Sequence, residues 1–118
     1  MSHKKLEVWK TSMQLTVEIY NLTRKFPKDE IYGLIGQIRR SAISIPSNIA
    51  EGCARQTTKE TSQFLYISLG SIAELETQLL IAKELNYVEN TDEIIDKLSL
   101  IRGLVSGLIK YYKNKTKN

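Results

Sequence analysis

The stretch that decides the fold is residues 31–52, IYGLIGQIRRSAISIPSNIAEG. Apolar or small residues recur in it at alternating steps of four and three, at Ile31, Ile35, Ile38, Ala42, Ile45, Ile49 and Gly52. This spacing places them on one face of an α-helix, and it is close to the 3.5-residue repeat that lets helices pack side by side. The stretch therefore predicts a long helix with a buried face.

Two further features of this helix concern packing. Mostly small side chains form a second stripe, Gly36, Ile43, Ala50 and Ala54, so that neighbouring helices can approach its backbone on more than one side. Pro46 lies inside the helix and has no amide hydrogen, so it removes one backbone hydrogen bond and predicts a kink. No reactive constellation of side chains occurs in residues 31–52.

The remaining sequence divides into three more helical segments joined by short polar connections. Predicted helices run over about 6–25, 29–54 and 58–85, and a fourth follows Thr91 and ends near Tyr112. We predict an all-α fold, an antiparallel up-down-up-down four-helix bundle with its second helix kinked at Pro46. The chain of 118 residues is a single domain by length, and residues 113–118, KNKTKN, predict a mobile basic tail.

Local signals support these boundaries. Phe26 precedes a proline and so disfavours continuation of the first helix. Thr57 and Glu60 have the spacing of a capping box, in which Thr57 is the N-cap of the third helix. Thr91 is the expected N-cap of the fourth helix, followed by acidic residues that complement the helix dipole.

The first three helices have more apolar surface than one bundle can bury. In the first helix, a stripe through Val8 and Leu15 is joined by a second one through Trp9, Met13 and Tyr20. Helices with two such stripes are expected to contact neighbours outside the bundle, so we predict a homo-oligomer. Trp9 and Tyr20 have an alternative role as base-stacking residues, but their shared phase with Met13 favours packing in a core or interface.

Glu74 allows two interpretations, because it lies on a stripe of the third helix whose ends are apolar. One is a buried acid used in chemistry. The favoured one is a structural ion pair with an arginine of the second helix, because a buried charge requires a partner. The predicted structural ion-pair residues are Arg39, Arg40, Glu51 and Glu74.

The composition argues against catalysis and metal binding. With one histidine, His3, and one cysteine, Cys53, the chain offers no nucleophile–base pair and no metal-ligand spacing. We expect no catalytic residues, no metal, no cofactor and no small-molecule substrate, and we interpret Cys53 as a packing residue. No apolar run approaches the roughly 20 residues of a membrane helix, and no signal peptide is apparent, so the expected location is cytoplasmic.

Charge is unevenly distributed in the predicted bundle. The formal net charge is +4, and folding the chain up and down brings both termini and the second connection to one end. We call this end the basic pole; its cationic residues are Lys4, Lys5, Lys10, Arg55, Lys59, Lys110, Lys113, Lys115 and Lys117. Clustered cations attract nucleic-acid phosphates by releasing counterions, although a lysine-rich surface also serves solubility alone.

Several segments together resemble the four-helix-bundle family known as 23S rRNA-intervening-sequence proteins. They are LEVWK at 6–10, FPKDEIYGL at 26–34, RRSAISIPSNIAEG at 39–52 and SLGSIAELETQL at 68–79. The resemblance implies a bundle that assembles into a ring, usually a pentamer. It also implies similarity to the accessory protein of diversity-generating retroelements, a basic barrel that binds a reverse transcriptase and nucleic acid.

Two hypotheses of function follow from the residues and the resemblance. The first is a non-enzymatic, ring-forming module that binds RNA, DNA or a reverse-transcriptase-like protein through the basic pole. The second is a purely structural or protein-interaction assembly whose lysines serve solubility. An enzyme is a third and disfavoured class, because neither Glu51 nor Glu74 has a partner base in the sequence.

Overall fold

A computed structural model describes residues 2–117 of the chain, with side chains up to residue 115. Its α-helices are α1 (Glu7–Thr23), α2 (Leu34–Cys53), α3 (Thr58–Glu84) and α4 (Asp92–Lys117), with 3-10 turns at His3–Lys5 and Lys28–Glu30. Within the described residues no strand is present. α1 and α3 each pack against both α2 and α4, which confirms the all-α four-helix bundle. The bundle measures 51 × 23 × 20 Å.

The core is formed by the predicted heptad positions. Ile38, Ala42, Ile45 and Ile49 of α2 are completely buried, as the apolar spacing of residues 31–52 predicts. Equivalent positions of the other helices complete the core, among them Leu15, Ile19, Leu65, Ile72, Leu75, Leu79, Leu98, Ile101 and Val105. Burial of these side chains drives the helices together, since each fully buried leucine or isoleucine contributes about 1.5–3 kcal/mol.

The beginning of α2 differs from the prediction. The helix starts at Leu34 rather than near Asp29, and Ile31 lies in the preceding turn with 45% of its surface exposed. Gly33 has a non-helical backbone conformation (φ −106°, ψ −116°), and the Glu30 carboxylate accepts a hydrogen bond from the Leu34 amide at 3.3 Å. The apolar repeat therefore extends one turn further toward the N-terminus than the helix does.

The start of α3 confirms the predicted N-cap. The amide of Glu60 donates to Thr57 Oγ1 at 3.1 Å. The Thr57 hydroxyl in turn donates to Glu60 Oε1 at 3.0 Å, so the reciprocal contact joins two side chains instead of returning to the Thr57 amide. This cap fixes where the α2–α3 connection ends, and it places Arg55 and Lys59 on either side of that turn.

Hydroxyl groups join α2 to its neighbours. The Ser68 hydroxyl donates to the Ile45 carbonyl at 3.0 Å, and the Thr61 hydroxyl donates to the Gly52 carbonyl at 2.7 Å. Pro46 lacks the amide that would pair with the Ala42 carbonyl, yet α2 continues through it without a break. The Thr16 hydroxyl of α1 lies 3.3 Å from that carbonyl and 2.8 Å from the Ser12 carbonyl. The neighbouring helix α1 thus places a hydroxyl near the carbonyl that has no amide partner at Pro46. The kink of α2 at Pro46 stays a prediction.

Thr16→Val tests this contact. We expect a loss of about 1 kcal/mol in the free energy of unfolding, because the Ser12 and Ala42 carbonyls lose the one hydroxyl donor that they share. In a Pro46→Ala background the same substitution should cost less, since the alanine introduced in place of the proline has an amide that can pair with the Ala42 carbonyl. Urea unfolding of the four proteins in this double-mutant cycle measures the difference. If Thr16→Val lowers the free energy of unfolding equally in both backgrounds, the Thr16 hydroxyl does not compensate for the missing amide of Pro46.

The end of α4 also differs from the prediction. The helix does not end near Tyr112 but continues to Lys117. Asn118 lies outside the described residues, and the mobility expected of residues 113–118 stays a prediction. Neither glycine nor proline follows Gly107, so no residue breaks the helix there. Lys113 donates to the Tyr66 hydroxyl of α3, and Lys115 lies 5.8 Å from the centre of the Tyr111 ring.

We expected no segment apolar enough to cross a membrane, and α3 is an exception to that expectation. It is long and apolar enough, by length and composition alone, to cross a membrane, with a mean hydropathy of 1.3 over its best window. One such helix is weak evidence of a membrane segment, because the core helix of a helical bundle passes the same test. In this fold, one face of α3 is buried against the other helices.

Candidate nucleic-acid interface

The basic pole forms from the ends of all four helices. The 3-10 turn His3–Lys5 packs against both α1 and α2, and the His3 ring lies 5.1 Å from the Trp9 ring. At the α2–α3 connection, the Arg55 guanidinium lies 4.6 Å from the centre of the Phe64 ring. The bundle topology brings the C-terminal half of α4 to the same end. All cationic residues of the basic pole whose side chains are described are exposed.

Few carboxylates neutralise the basic pole. Lys10 lies 3.9 Å from Glu7 and Arg55 lies 3.5 Å from Glu51, and both are exposed pairs within one helical segment. Exposed pairs of this kind contribute about 0–1 kcal/mol and leave the cations accessible. Among the described side chains, no carboxylate lies within 4.0 Å of Lys4, Lys5, Lys59, Lys110, Lys113 or Lys115. The pole therefore presents free positive charge to solvent.

The expected ion pairs of Arg39 or Arg40 with Glu51 or Glu74 do not form within the described protomer. Arg39 donates to the Thr23 hydroxyl at 2.9 Å, and its guanidinium lies 4.4 Å from the centre of the Tyr20 ring. Glu51 pairs with Arg55 instead, and Glu74 is exposed, so the alternative of a buried acid fails as well. Arg39 faces α1, which removes it from the α3 side of α2, and Glu74 stays exposed to solvent at the edge between α2 and α3.

The ion pairs that do join helices involve other residues. Lys97 of α4 lies 2.6 Å from Glu18 of α1, and Arg102 of α4 lies 3.0 Å from Glu76 of α3. The hydrogen bond to Glu18 raises the pKa of Lys97. Neither pair could be predicted from the sequence, because no local spacing connects residues so far apart in the chain.

Arg40 and Glu74 do share one feature, a shallow depression between α2 and α3 of about 310 Å³. Its lining is polar and consists of Gln37, Arg40, Ser41, Ser44, Glu74 and Gln78. Within the described residues, Arg40 and Glu74 form no ion pair with each other or with another group. We call this feature the α2–α3 depression.

The family of the protein follows from its sequence together with this fold. The sequence model of the family described as "23S rRNA-intervening sequence protein" matches residues 4–107. The chain belongs to this family. The resemblance carried by residues 6–10, 26–34, 39–52 and 68–79 is thereby confirmed. The matched region ends within α4, so Lys110, Lys113, Lys115 and Lys117 lie beyond it.

A solved structure supports the fold of this 23S rRNA-intervening sequence protein. The chain is similar to a protein of unknown function from the S23 ribosomal protein family of Bacteroides thetaiotaomicron, with 27% sequence identity and a TM-score of 0.77. The similarity covers 87% of this chain and 98% of that one. A search of curated proteins gave no match. The family and the fold are thus shown, and neither the family description nor the name of the similar structure specifies an activity.

Metal ligands and a reactive thiol are the two kinds of chemical group that can be checked directly in the described residues. Within the described residues, no group of three histidine, cysteine or acidic side chains is arranged to hold a metal ion. Cys53 packs against the core, as predicted, and burial raises the pKa of its thiol. A raised pKa lowers the fraction of reactive thiolate at neutral pH. Trp9 also packs against the core, and Tyr20 lies beneath the Arg39 guanidinium.

Proposed function

We propose that this 23S rRNA-intervening sequence protein is a non-enzymatic, homo-oligomeric module of the cytoplasm that binds nucleic acid, or a nucleic-acid-processing protein, through its basic pole. The observation that carries the proposal is the group of exposed lysines without a carboxylate within 4.0 Å among the described side chains, given above for Lys4, Lys5, Lys59, Lys110, Lys113 and Lys115. Concentrated positive charge of this kind attracts the phosphate backbone and releases its counterions.

Exposed apolar side chains support the oligomer. Large fractions of Met13 (42%), Val17 (60%), Ile43 (42%) and Ile67 (49%) are accessible in the single protomer. Met13 and Ile43 line a groove of about 380 Å³ between α1 and α2, together with Trp9 and Pro46. Contiguous apolar surface in a monomer is typical of protein–protein contacts. A ring of five copies is the assembly that the family resemblance implies.

A ring would strengthen the basic pole, because each copy adds its lysines to one rim. The summed field would raise both the local concentration of a polyanion and its association rate. Lysine side chains contact the backbone and do not read base edges, so binding should be largely independent of sequence. RNA and DNA are the proposed ligands, and a reverse-transcriptase-like protein is the partner class that the resemblance adds.

Binding to a labelled single-stranded RNA and to a labelled DNA duplex, measured by fluorescence anisotropy, tests the proposal. We expect binding at about 50 mM salt and a loss of affinity of at least about tenfold at about 200 mM salt, because counterion release weakens as salt rises. A scrambled RNA of the same length serves as the control and should bind equally. Absence of binding at low salt, or affinity that does not change with salt, would contradict the proposal.

The second candidate is an assembly that binds no nucleic acid. Exposed apolar side chains on α1, α2 and α3 favour it, because they predict contacts with protein irrespective of the lysines. In this case the protein would still form oligomers, and neither RNA nor DNA would bind at low salt. The binding measurement therefore separates the two candidates.

A further inference from the structure

A pocket of about 400 Å³ lies where the chain turns from α1 into α2, at the end of the bundle opposite the basic pole. We call it the corner pocket. Its lining includes three apolar and three cationic side chains, Phe26, Ile31 and Ile35, and Arg24, Lys28 and Arg39. Small-molecule pockets typically have volumes of about 300–1,000 Å³ and a mainly apolar lining with a few polar groups. The corner pocket has both properties.

The apolar part of the corner pocket includes a side chain that the bundle leaves in water. Phe26 and Ile35 are buried and form the floor of the pocket, whereas Ile31 is almost half exposed. Ile31 continues the apolar repeat of α2 but lies in the turn before that helix begins. An apolar ligand in the pocket would cover Ile31, and the removal of apolar surface from water would favour binding.

The positive charge of the corner pocket is not neutralised by carboxylates. Each of its three cations lies more than 4.0 Å from every carboxylate among the described side chains. Asp29 and Glu30 follow Lys28 in the chain but do not line the pocket. The Glu30 carboxylate instead accepts hydrogen bonds from the Leu34 amide at 3.3 Å and from the Tyr87 hydroxyl at 2.8 Å. The pocket is therefore complementary to an anion.

Arg39 is held in position by contacts within the protomer. Its Nε donates to the Thr23 hydroxyl at 2.9 Å, its Nη2 donates to the Tyr20 carbonyl at 3.5 Å, and its guanidinium lies 4.4 Å from the centre of the Tyr20 ring. Since a guanidinium has five N–H donors, Arg39 keeps donors without an acceptor in the part of the chain that the structure describes. A guanidinium held in this way is suited to a carboxylate, because the two groups have matching planar geometry.

We propose that the corner pocket binds a small amphiphilic carboxylate, with its apolar body against the three apolar side chains and its carboxylate against the three cations. The cations select an anion, and the apolar floor selects a chain or ring over an inorganic ion. The volume fits one short chain and is too small for a membrane lipid with two chains. The lining contains no histidine, cysteine or carboxylate, so the ligand is bound and not converted. This site goes beyond the proposed function, which depends on the basic pole.

Calorimetric titration with octanoate tests the proposal, together with two probes that each lack one part of that molecule. We expect octanoate to bind with a Kd below about 1 mM. Acetate and octylammonium should bind at least about tenfold more weakly, because acetate lacks the apolar chain and octylammonium carries the opposite charge. In NMR spectra of protein labelled at its isoleucine methyl groups, octanoate should shift the signals of Ile31 and Ile35. The signals of Ile67 and Ile81, which are almost half exposed on α3, should not move.

Arg24→Gln combined with Lys28→Gln removes two of the three cations, and both side chains are exposed, so the fold should be retained. We expect this variant to bind octanoate at least about tenfold more weakly than the wild type, because the carboxylate loses two opposite charges. Lys25→Gln combined with Lys83→Gln is the matched control. It removes two exposed cations from the same end of the bundle, and neither residue lines the pocket. Its octanoate affinity should change by less than about twofold, and thermal unfolding confirms that both variants are folded.

Three results would each overturn the proposal. They are a Kd of octanoate above about 10 mM for the wild-type protein, octylammonium binding as tightly as octanoate, and equal losses of octanoate affinity in the two double variants. All three leave RNA binding by the basic pole to be judged separately.

Two other occupants of the corner pocket give different results. If octanoate does not bind and Arg24→Gln with Lys28→Gln weakens self-association in sedimentation velocity, the pocket contacts a second copy of the chain. If octanoate does not bind and the same variant weakens RNA binding more than the control variant does, the pocket contacts nucleic acid. The proposal is overturned in both cases.

Discussion

Gly52→Val is expected to lower the free energy of unfolding by about 3 kcal/mol, the cost typical of forcing a larger side chain into a packed contact. An added Cβ at Gly52 would lie 3.1 Å from Phe64 Cβ and 3.1 Å from the Thr61 carbonyl oxygen. The carbonyl belongs to the backbone of α3 and cannot rotate away. The branched valine side chain would therefore separate α2 from α3 at the basic pole.

Loss of a hydrogen bond adds to this effect. The Thr61 hydroxyl donates to the Gly52 carbonyl at 2.7 Å, and it is buried between the two helices. Separating α2 from α3 would lengthen that bond and leave two buried polar groups poorly paired. Because each kcal/mol lowers the midpoint of a domain of this size by about 4 °C, we expect the thermal midpoint to fall by about 10 °C.

Gly107→Ala provides the matched control. A Cβ at Gly107 would meet no heavy atom within 4 Å, and the residue lies on the exposed side of α4. Alanine is favoured over glycine in a helix interior by about 1 kcal/mol, so this variant should be more stable than the wild type. In urea unfolding we expect Gly52→Val to lower the free energy of unfolding and Gly107→Ala to raise it. A Gly52→Val protein as stable as the wild type would show that α2 and α3 separate at little cost.

The helices and the core could be predicted from the sequence because their signal is local. Ile38, Ala42, Ile45 and Ile49 repeat at helical spacing, and all four are buried. The same repeat misassigned Ile31, since apolar spacing does not report the non-helical backbone at Gly33. Lys113 and Lys115 were assigned to a tail, because composition does not show that Tyr66 and Tyr111 lie within their reach.

Contacts between helices could not be predicted in the same way. A helical repeat fixes which residues share a face, but not how far two helices slide or rotate against each other. A rotation that turns Arg39 toward Tyr20 excludes Arg39 as the partner of Glu74, and Arg40 lies in the same depression as Glu74 without an ion pair to it. The pairing of Lys97 with Glu18 also depends on how the helices slide and rotate against each other. The same is true of the position of Gln78 Oε1 in the α2–α3 depression.

The basic pole was predicted from topology alone, because an antiparallel bundle with short connections must bring alternate helix ends together. Two variants that remove four cations each can separate the effect of where the cations lie from the effect of net charge on nucleic-acid binding. The first replaces Lys110, Lys113, Lys115 and Lys117 with glutamine. The second replaces Arg24, Lys25, Lys28 and Lys83, which belong to the opposite end of the bundle. Each variant has a formal net charge of +4 − 4 = 0.

We expect the first variant to lose RNA affinity by at least about 100-fold at low salt, while the second retains most of it. If each removed lysine contacts one phosphate, the slope of log affinity against log salt should become shallower by up to about 3, since each contact with a single strand contributes about 0.7. Stability should change little, because the exposed contacts of Lys113 with Tyr66 and of Lys115 with Tyr111 are each worth about 1 kcal/mol or less. Equal losses in the two variants would mean that net charge, and not the basic pole, governs binding. No loss of RNA affinity in either would mean that RNA binds through other residues and would contradict the role given to the basic pole.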